Sequence, residues 1–231
     1  MDPALNSASA GSNIIRLAFC GLMGTQVVDG VATQAPEMAE SYTISDDGLV
    51  YTFTLREGLK WSDGSDFFAS DFAKSWNRAA DPDLGAAYGY LFDYIARNED
   101  GTLNVVADDE ARTLTVTLAN PCAYFLDLCG FTTYYPVKVD LADSEGAWAV
   151  NPETYIGTGP FRYVSYTPQD SMVIEKYDGY WGEAAYLDQV TFRIITNSDT
   201  LVMSLQSGSL DMAIHVPNTQ ASQVEGAFTV V

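Results

Sequence analysis

Two short segments of the chain alternate between apolar and polar residues. Apolar side chains occupy every second position of residues 49–55 and again of residues 113–118, where threonines fill the positions between. A period of two is typical of a strand with one buried face. Turn sequences flank the first segment, Asp-Asp-Gly at 46–48 and Ser-Asp-Gly at 62–64. The pattern predicts an antiparallel sheet with helices on one face.

Helical spacing appears in four other segments. In residues 69–80, Phe72 and Trp76 lie four positions apart and so share one face of a helix. Further helices are predicted from Asn13 to about Met23, at about 87–97, and from about Asp199 to Gln206. The expected N-caps are Ser12 or Asn13 for the first helix and Ser198 or Asp199 for the last. Phe68 stands at the cap position of the 69–80 helix and offers no hydroxyl, at a cost of about 1 kcal/mol unless another group compensates.

The character of the sequence changes at Gly157-Thr158-Gly159-Pro160, a flexible and then rigid joint. Three alternating segments follow it, at about 161–166, 171–176 and 190–195. They predict further strands ahead of the last helix.

Composition restricts the class of protein. With 231 residues, 47% of them hydrophobic, the chain is long enough for a substantial core. The 31 acidic residues against 11 basic ones give a net charge of −20, which excludes a nucleic-acid binder with a broad basic surface. The charge also argues against docking on anionic lipid. A solubilising acidic surface is the favoured interpretation, and attraction of cationic ligands is the alternative.

The sequence carries no recognisable enzyme signature. It has one histidine and lacks nucleophile-elbow, phosphate-loop and zinc-protease motifs. Most paired acids stand beside glycine or at strand ends, where turn chemistry explains them. Cys20, Cys122 and Cys129 show no metal-ligand spacing and are expected to be free, buried thiols. We therefore predict no catalytic residue, no metal site and no cofactor.

Residues 39–64, AESYTISDDGLVYTFTLREGLKWSDG, resemble the signature of the family 5 extracellular solute-binding proteins, the peptide-binding receptors of ABC importers. Further segments resemble motifs of that family in the same order along the chain: 2–5 (DPAL), 14–22 (IIRLAFCGL), 69–72 (ASDF), 157–161 (GTGPF), 180–182 (YWG) and 205–213 (LQSGSLDMA). Two departures are Cys20, where the family usually has Glu, and Tyr177-Asp178, where it has Asn-Pro.

The resemblance implies an α/β fold of the periplasmic-binding-protein type (type II, peptide-binding class), with mixed sheets and flanking helices. Residues 1–40 and 157–231 would belong to a first, discontinuous lobe, and residues 41–156 would form a smaller inserted domain. The first strand and the second lobe of the family are expected to be missing, so that the two-lobe fold is incomplete. We expect the exposed apolar surface of such a fragment to favour dimerisation. The fragment should bind tripeptides at about millimolar affinity at best.

The resemblance also implies candidate ligand-binding residues. Ser7, Ala8 and Ser9 lie where a receptor strand pairs with the peptide backbone, and a flexible connector is the alternative. Tyr88 occupies the place of a tyrosine that reaches the ligand, although a packed core tyrosine has the same pattern. His215 lies where the family chain approaches the cleft, and a structural role is the more common one for a lone histidine.

The implied function is capture of oligopeptides or dipeptides outside the cell membrane and delivery to a permease of an ABC importer. The protein would be periplasmic or lipid-anchored at the outer face of the membrane, and no signal sequence is visible in the chain. Three alternatives stay open: the same fold with an oligosaccharide or a metal chelate as ligand, a secreted glycosidase-like enzyme, and a sensor module without transport.

Overall fold

A four-stranded antiparallel sheet carries the main core of the structure, a computed structural model that describes residues 1–144, 147–224 and 228. The strands are β1 (Met23–Val28), β2 (Val31–Pro36), β3 (Ala39–Ile44), β4 (Val50–Leu55), β5 (Val105–Asp108), β6 (Thr113–Thr117), β7 (Phe161–Thr167), β8 (Ser171–Lys176) and β9 (Gln189–Arg193). The α-helices are α1 (Ser9–Ala18), α2 (Ala69–Ala79), α3 (Phe125–Cys129), α4 (Val139–Ser144) and α5 (Ser198–Gln206). The main sheet has the order β3-β4-β6-β5, β1 and β2 form a hairpin, and β7, β8 and β9 form a third sheet in that order.

The two alternating segments that predict strands pair with each other. β4 and β6 run antiparallel, with Phe53 opposite Leu114, and the prediction of an antiparallel sheet is confirmed. Tyr51, Phe53 and Leu55 are buried, as the period of two requires. β3 and β5 complete the sheet at its two edges, and neither strand was predicted from the sequence.

Helix α2 packs on this sheet through its aromatic face. Phe72 and Trp76 are fully buried, and the indole Nε1 of Trp76 donates to the carbonyl of Tyr134 at 2.7 Å. The ring of Tyr134 stacks on Phe92 with centroids 4.2 Å apart. The hydrogen bond from Trp76 to Tyr134 satisfies the one polar side-chain atom of the buried tryptophan, so the large ring can fill the core without an unpaired donor.

The missing N-cap of α2 is replaced by a residue from another part of the chain. The carboxylate of Asp109 accepts from the backbone N–H and from the hydroxyl of Ser70, both at 2.8 Å. Asp71 accepts from the backbone N–H of Phe68 at 3.0 Å. The cost expected for Phe68 at the cap position is therefore offset by a carboxylate that also complements the helix dipole.

The bounds predicted for the first helix were wrong. α1 runs from Ser9 to Ala18 and its N-cap is Ala8, with no side-chain hydrogen bond, so neither Ser12 nor Asn13 is the cap. The helix ends early because Phe19 turns to extended geometry, where its ring packs edge-on against Tyr155 with centroids 5.2 Å apart.

The predicted α-helix at 87–97 is instead a 3-10 helix, Gly89–Tyr94. The hydroxyl of Tyr134 donates to the carbonyl of Leu91 at 2.8 Å, while the N–H of Ile95 bonds to Phe92 and not to Leu91. A long-range contact thus takes over a carbonyl that an α-helix would use. The last helix, α5, lies where it was predicted, but its cap is Asn197, whose side chain accepts from the N–H of Thr200 at 2.9 Å.

The chain divides into two compact units. The first comprises Met1–Tyr166 and Val173–Val190, and the second comprises Thr167–Met172 and Thr191–Val231. In the second unit, α5 buries Val202 and Leu205 against Val224. The lobe boundaries proposed from the resemblance, at 40 and 156, stay a prediction, as does dimerisation. The three cysteines are free and buried, as expected.

Residues 157–160, the joint of the first unit, press against the end of α1. A Cβ atom on Gly157 would lie 1.9 Å from the carbonyl oxygen of Ala18, and one on Gly159 would lie 2.7 Å from that of Leu17. The N–H of Gly159 donates to Ala18 at 2.9 Å, and the carbonyl of Gly157 accepts from the N–H of Ser62 at 2.8 Å. Glycine is required here because backbone lies against backbone.

We predict that Gly157→Ala lowers the free energy of unfolding by about 3 kcal/mol, since the added methyl group meets a carbonyl that is held by the helix. Chemical denaturation measures this change. Gly11→Ala is the control, because the nearest atoms to its Cβ would all belong to the side chain of Asn6, which can move at the cost of two hydrogen bonds, and not to backbone. An equal loss of stability in both variants would contradict the close-approach argument.

Candidate functional site

Residues 7 and 8 form an exposed, extended segment immediately before α1. Ala8 has φ −101° and ψ 135°, which are strand-like values. Its carbonyl accepts from the N–H of Ser12 and from the side-chain amide of Asn6, both at 3.1 Å. Within the described residues, the backbone N–H and C=O of Ser7 and the N–H of Ala8 form no hydrogen bond. These three groups are free to pair with an extended ligand, whereas Ser9 already belongs to the helix.

A buried ion pair anchors the turn that leads into this segment. Asp2 lies 2.9 Å from Nη2 of Arg78, with side-chain exposures of 5% and 8%. Its other carboxylate oxygen accepts from the N–H of Ala4 at 2.8 Å, and its carbonyl accepts from the N–H of Asn6. Arg78 also pairs with Asp143 at 2.7 Å. The segment at 7 and 8 is therefore fixed to the C-terminal end of α2 and is not a free tail.

Tyr88 precedes the 3-10 helix and is half-buried. Its ring meets Phe131 edge-on with centroids 5.2 Å apart, and its hydroxyl has no hydrogen-bond partner within the part of the chain that the structure describes. α1 packs against the 3-10 turn at Thr132–Tyr134, directly after Phe131. Tyr88 and helix α1 therefore both contact the segment of residues 131–134.

His215 lies in the second unit, in an irregular segment after α5. The residue is exposed and makes no hydrogen bond or ion pair with any residue that the structure describes. Over the same residues, no group of three histidine, cysteine or acidic side chains is placed to hold a metal ion. The ligand-binding roles of Ser7, Ala8, Ser9, Tyr88 and His215 stay predictions.

Glu37, which the sequence analysis did not single out, is a carboxylic acid turned toward the core next to Cys20. One carboxylate oxygen accepts from the N–H of Gly21 at 2.8 Å. Sγ of Cys20 lies 3.5 Å from the hydroxyl of Tyr180. The backbone N–H of Cys20 donates to the hydroxyl of Thr158, within the joint at 157–160, at 2.9 Å. Burial raises the pKa of Glu37, although the Gly21 N–H opposes the rise, and burial also raises the pKa of Cys20. The sequence feature that could have identified Glu37 as partly buried is its position among the apolar residues of 36–39.

We predict that the Glu37→Gln variant loses less folding stability than the parent as the pH rises. The folded pKa of Glu37 lies above its ordinary value of 4.5, so its contribution to stability is present below that pH and is lost as pH rises through the folded pKa. The variant should therefore gain stability relative to the parent as pH rises from below 4.5 into the neutral range. Urea denaturation across this range measures the difference, with the exposed Glu99→Gln as control. A constant difference at all pH values would refute the prediction.

The chain belongs to the family 5 bacterial extracellular solute-binding proteins. The family model, described as the middle region of these proteins, matches residues 33–230. The oligopeptide-binding protein OppA of Bacillus subtilis is 34% identical over 222 residues, which are 92% of this chain and 40% of that protein. The dipeptide-binding protein DppE of the same organism is 34% identical over 198 residues, 82% of this chain and 36% of DppE.

Solved structures agree with this family. An oligopeptide-binding protein of Borrelia burgdorferi superposes with a TM-score of 0.87 at 29% identity, covering 97% of this chain and 46% of that one. Listeria monocytogenes OppA, solved bound to peptide, gives a TM-score of 0.86 at 30% identity over 97% of this chain and 46% of that chain. The chain thus spans less than half the length of these relatives. The predicted family, the α/β periplasmic-binding-protein fold and the assignment to binding proteins rather than enzymes are confirmed.

Proposed function

We propose that this chain is part of the substrate-binding component of an ABC importer that captures oligopeptides or dipeptides and delivers them to a membrane permease. The observation that carries the proposal is the likeness, over 97% of the chain, to a Listeria receptor solved with a bound peptide. The relatives OppA and DppE are named for oligopeptide and dipeptide binding. No helix in the described part of the chain has the length and apolarity of a membrane span.

The free backbone groups of Ser7 and Ala8 support a backbone-reading mode of recognition. An extended peptide that pairs with them would add a strand and would be held by main-chain hydrogen bonds, without a demand on its side chains. Small side chains at 7–9 permit the close approach. Tyr88 would contribute its hydroxyl to the same ligand, and a ligand-binding role of His215 stays a prediction.

A periplasmic or lipid-anchored location at the outer face of the membrane belongs to this proposal. The net charge of −20 suits a soluble extracellular surface. The permease would be the protein partner, and no nucleic acid is expected as a partner because the chain lacks the positive charge that phosphates require.

Native mass spectrometry of the full-length receptor that contains this chain, purified from peptide-rich medium, tests the proposal. A ladder of added masses that match mixed short peptides is the expected result, because backbone recognition tolerates many side chains. One discrete added mass that is not a peptide would move the assignment to a non-peptide ligand such as an oligosaccharide or a metal chelate.

The role of the segment at 7 and 8 has its own test. Ser7→Pro removes the N–H of residue 7 and should weaken peptide binding by about tenfold, since one hydrogen bond of the added strand is lost and the ring restricts the segment. Ser7→Ala keeps the N–H and should bind as the parent does. Calorimetry on the full-length receptor measures both affinities, and equal affinities would show that this segment is only a connector.

A further inference from the structure

A second recognition site is indicated by an open pocket of about 520 Å³ on the first unit, none of whose lining residues belongs to the candidate peptide site. Trp181 forms part of its wall. Its charged lining consists of Arg56, Arg112, Glu40, Glu57 and Glu183. All of these residues lie within the first unit, so the pocket does not depend on the arrangement of the two units.

The two arginines of this pocket are unusual for their lack of ion-pair partners. Among the 11 basic residues, the others without an ion pair to any described residue are Arg16 and Lys74. In a chain with 31 acidic residues, two unpaired guanidinium groups in one pocket are therefore notable. Two arginine side chains that open into the same pocket present N–H donors that can bind two oxygens of a carboxylate or phosphate group at once.

Arg56 is held in place from two sides. Its Nε donates to the carbonyl of Glu37 at 2.6 Å, and its guanidinium carbon lies 5.4 Å from the ring centroid of Trp181. Neither contact uses the terminal amino groups Nη1 and Nη2. The guanidinium is thus oriented before a ligand arrives, which lowers the entropic cost of binding.

Arg112 lies in the turn between β5 and β6, directly before β6. Its backbone carbonyl accepts from the N–H of Leu55 at 2.8 Å, and its Nη1 donates to the carbonyl of Leu55 at 3.3 Å. Nη2 forms no hydrogen bond with any residue that the structure describes. Its φ of 56° lies in the left-handed region, which is unfavourable for a side chain as large as arginine. The turn between β5 and β6 holds this arginine in a conformation that glycine would adopt without steric cost.

We propose that this pocket binds a small zwitterion that carries a carboxylate or phosphate group together with an ammonium group. Arg56 and Arg112 hold the oxyanion through charge-assisted hydrogen bonds. The exposed glutamates Glu40, Glu57 and Glu183 attract the ammonium group and repel a bare dianion. The site is separate from the proposed peptide-binding function and does not rest on it.

NMR titration of the whole chain at low ionic strength tests the proposal, with phosphoethanolamine and β-alanine as probes. The indole Nε1–H signal of Trp181, assigned by its absence in Trp181→Phe, should shift with saturation. The other three tryptophan signals should stay in place. Inorganic phosphate and ethanolamine, the two halves of the first probe, should each bind more weakly than the zwitterion.

The decisive variant is Arg112→Gly, which removes the guanidinium and relieves the positive φ. Its melting temperature should equal or exceed that of the parent, while its affinity for both probes should fall by about tenfold or more. Arg112→Gln serves as a second variant that keeps a polar side chain. Lys74→Gln, which removes an unpaired cation outside the pocket, should leave the affinity unchanged.

Three results would overturn the proposal. The first is the absence of saturable binding of either zwitterion. The second is an equal affinity of the parent and both Arg112 variants for the probes. The third is phosphate binding as tight as that of phosphoethanolamine, which would remove the role of the three glutamates.

Discussion

The backbone contact between residues 157–160 and the end of α1 connects parts of the first unit that are far apart in sequence. The carbonyl of Ala18 accepts a hydrogen bond from the N–H of Gly159, and the hydroxyl of Thr158 accepts one from the N–H of Cys20. Gly157 donates to the hydroxyl of Ser62 and accepts from its N–H. The contact requires glycine because side chains would separate the two backbones. It also limits any hinge motion at 157–160, since each of these hydrogen bonds would have to break or move with the joint.

The candidate peptide segment depends on the same kind of long-range anchoring. The buried pair of Asp2 and Arg78 fixes the turn before Ser7, and the side chain of Asn6 occupies the carbonyl of Ala8. What remains for a ligand is a short row of free backbone groups on a fixed support. A rigid extended edge of this kind lowers the cost of ordering when a peptide pairs with it.

The two proposed recognition sites offer a ligand different interactions. The segment at 7 and 8 offers uncharged backbone groups, which suit ligands of varied sequence, whereas the pocket at Arg56 and Arg112 offers fixed charges, which select a particular charge pattern. Both are built on the first unit: the buried ion pair of Asp2 and Arg78 anchors the segment, and hydrogen bonds to backbone carbonyls hold the two arginines. The pocket sets two arginines against three glutamates, so that charges of both signs face one opening in a chain of net charge −20.

The sequence by itself determined the elements that local periodicity specifies, namely β4, β6, β7, β8, β9, α2 and α5, and its motifs determined the family. Burial follows directly from the spacing in these segments, so Phe53 and Trp76 were assigned to the core without a structure. Tertiary structure decided the rest. The hydroxyl of Tyr134 converts the 87–97 segment into a 3-10 helix, Asp109 caps α2 from a distant turn, and Glu37 is turned toward the core. Each of these outcomes depends on a hydrogen bond between residues distant in sequence, and the local pattern of apolar and polar positions carries no information about such partners.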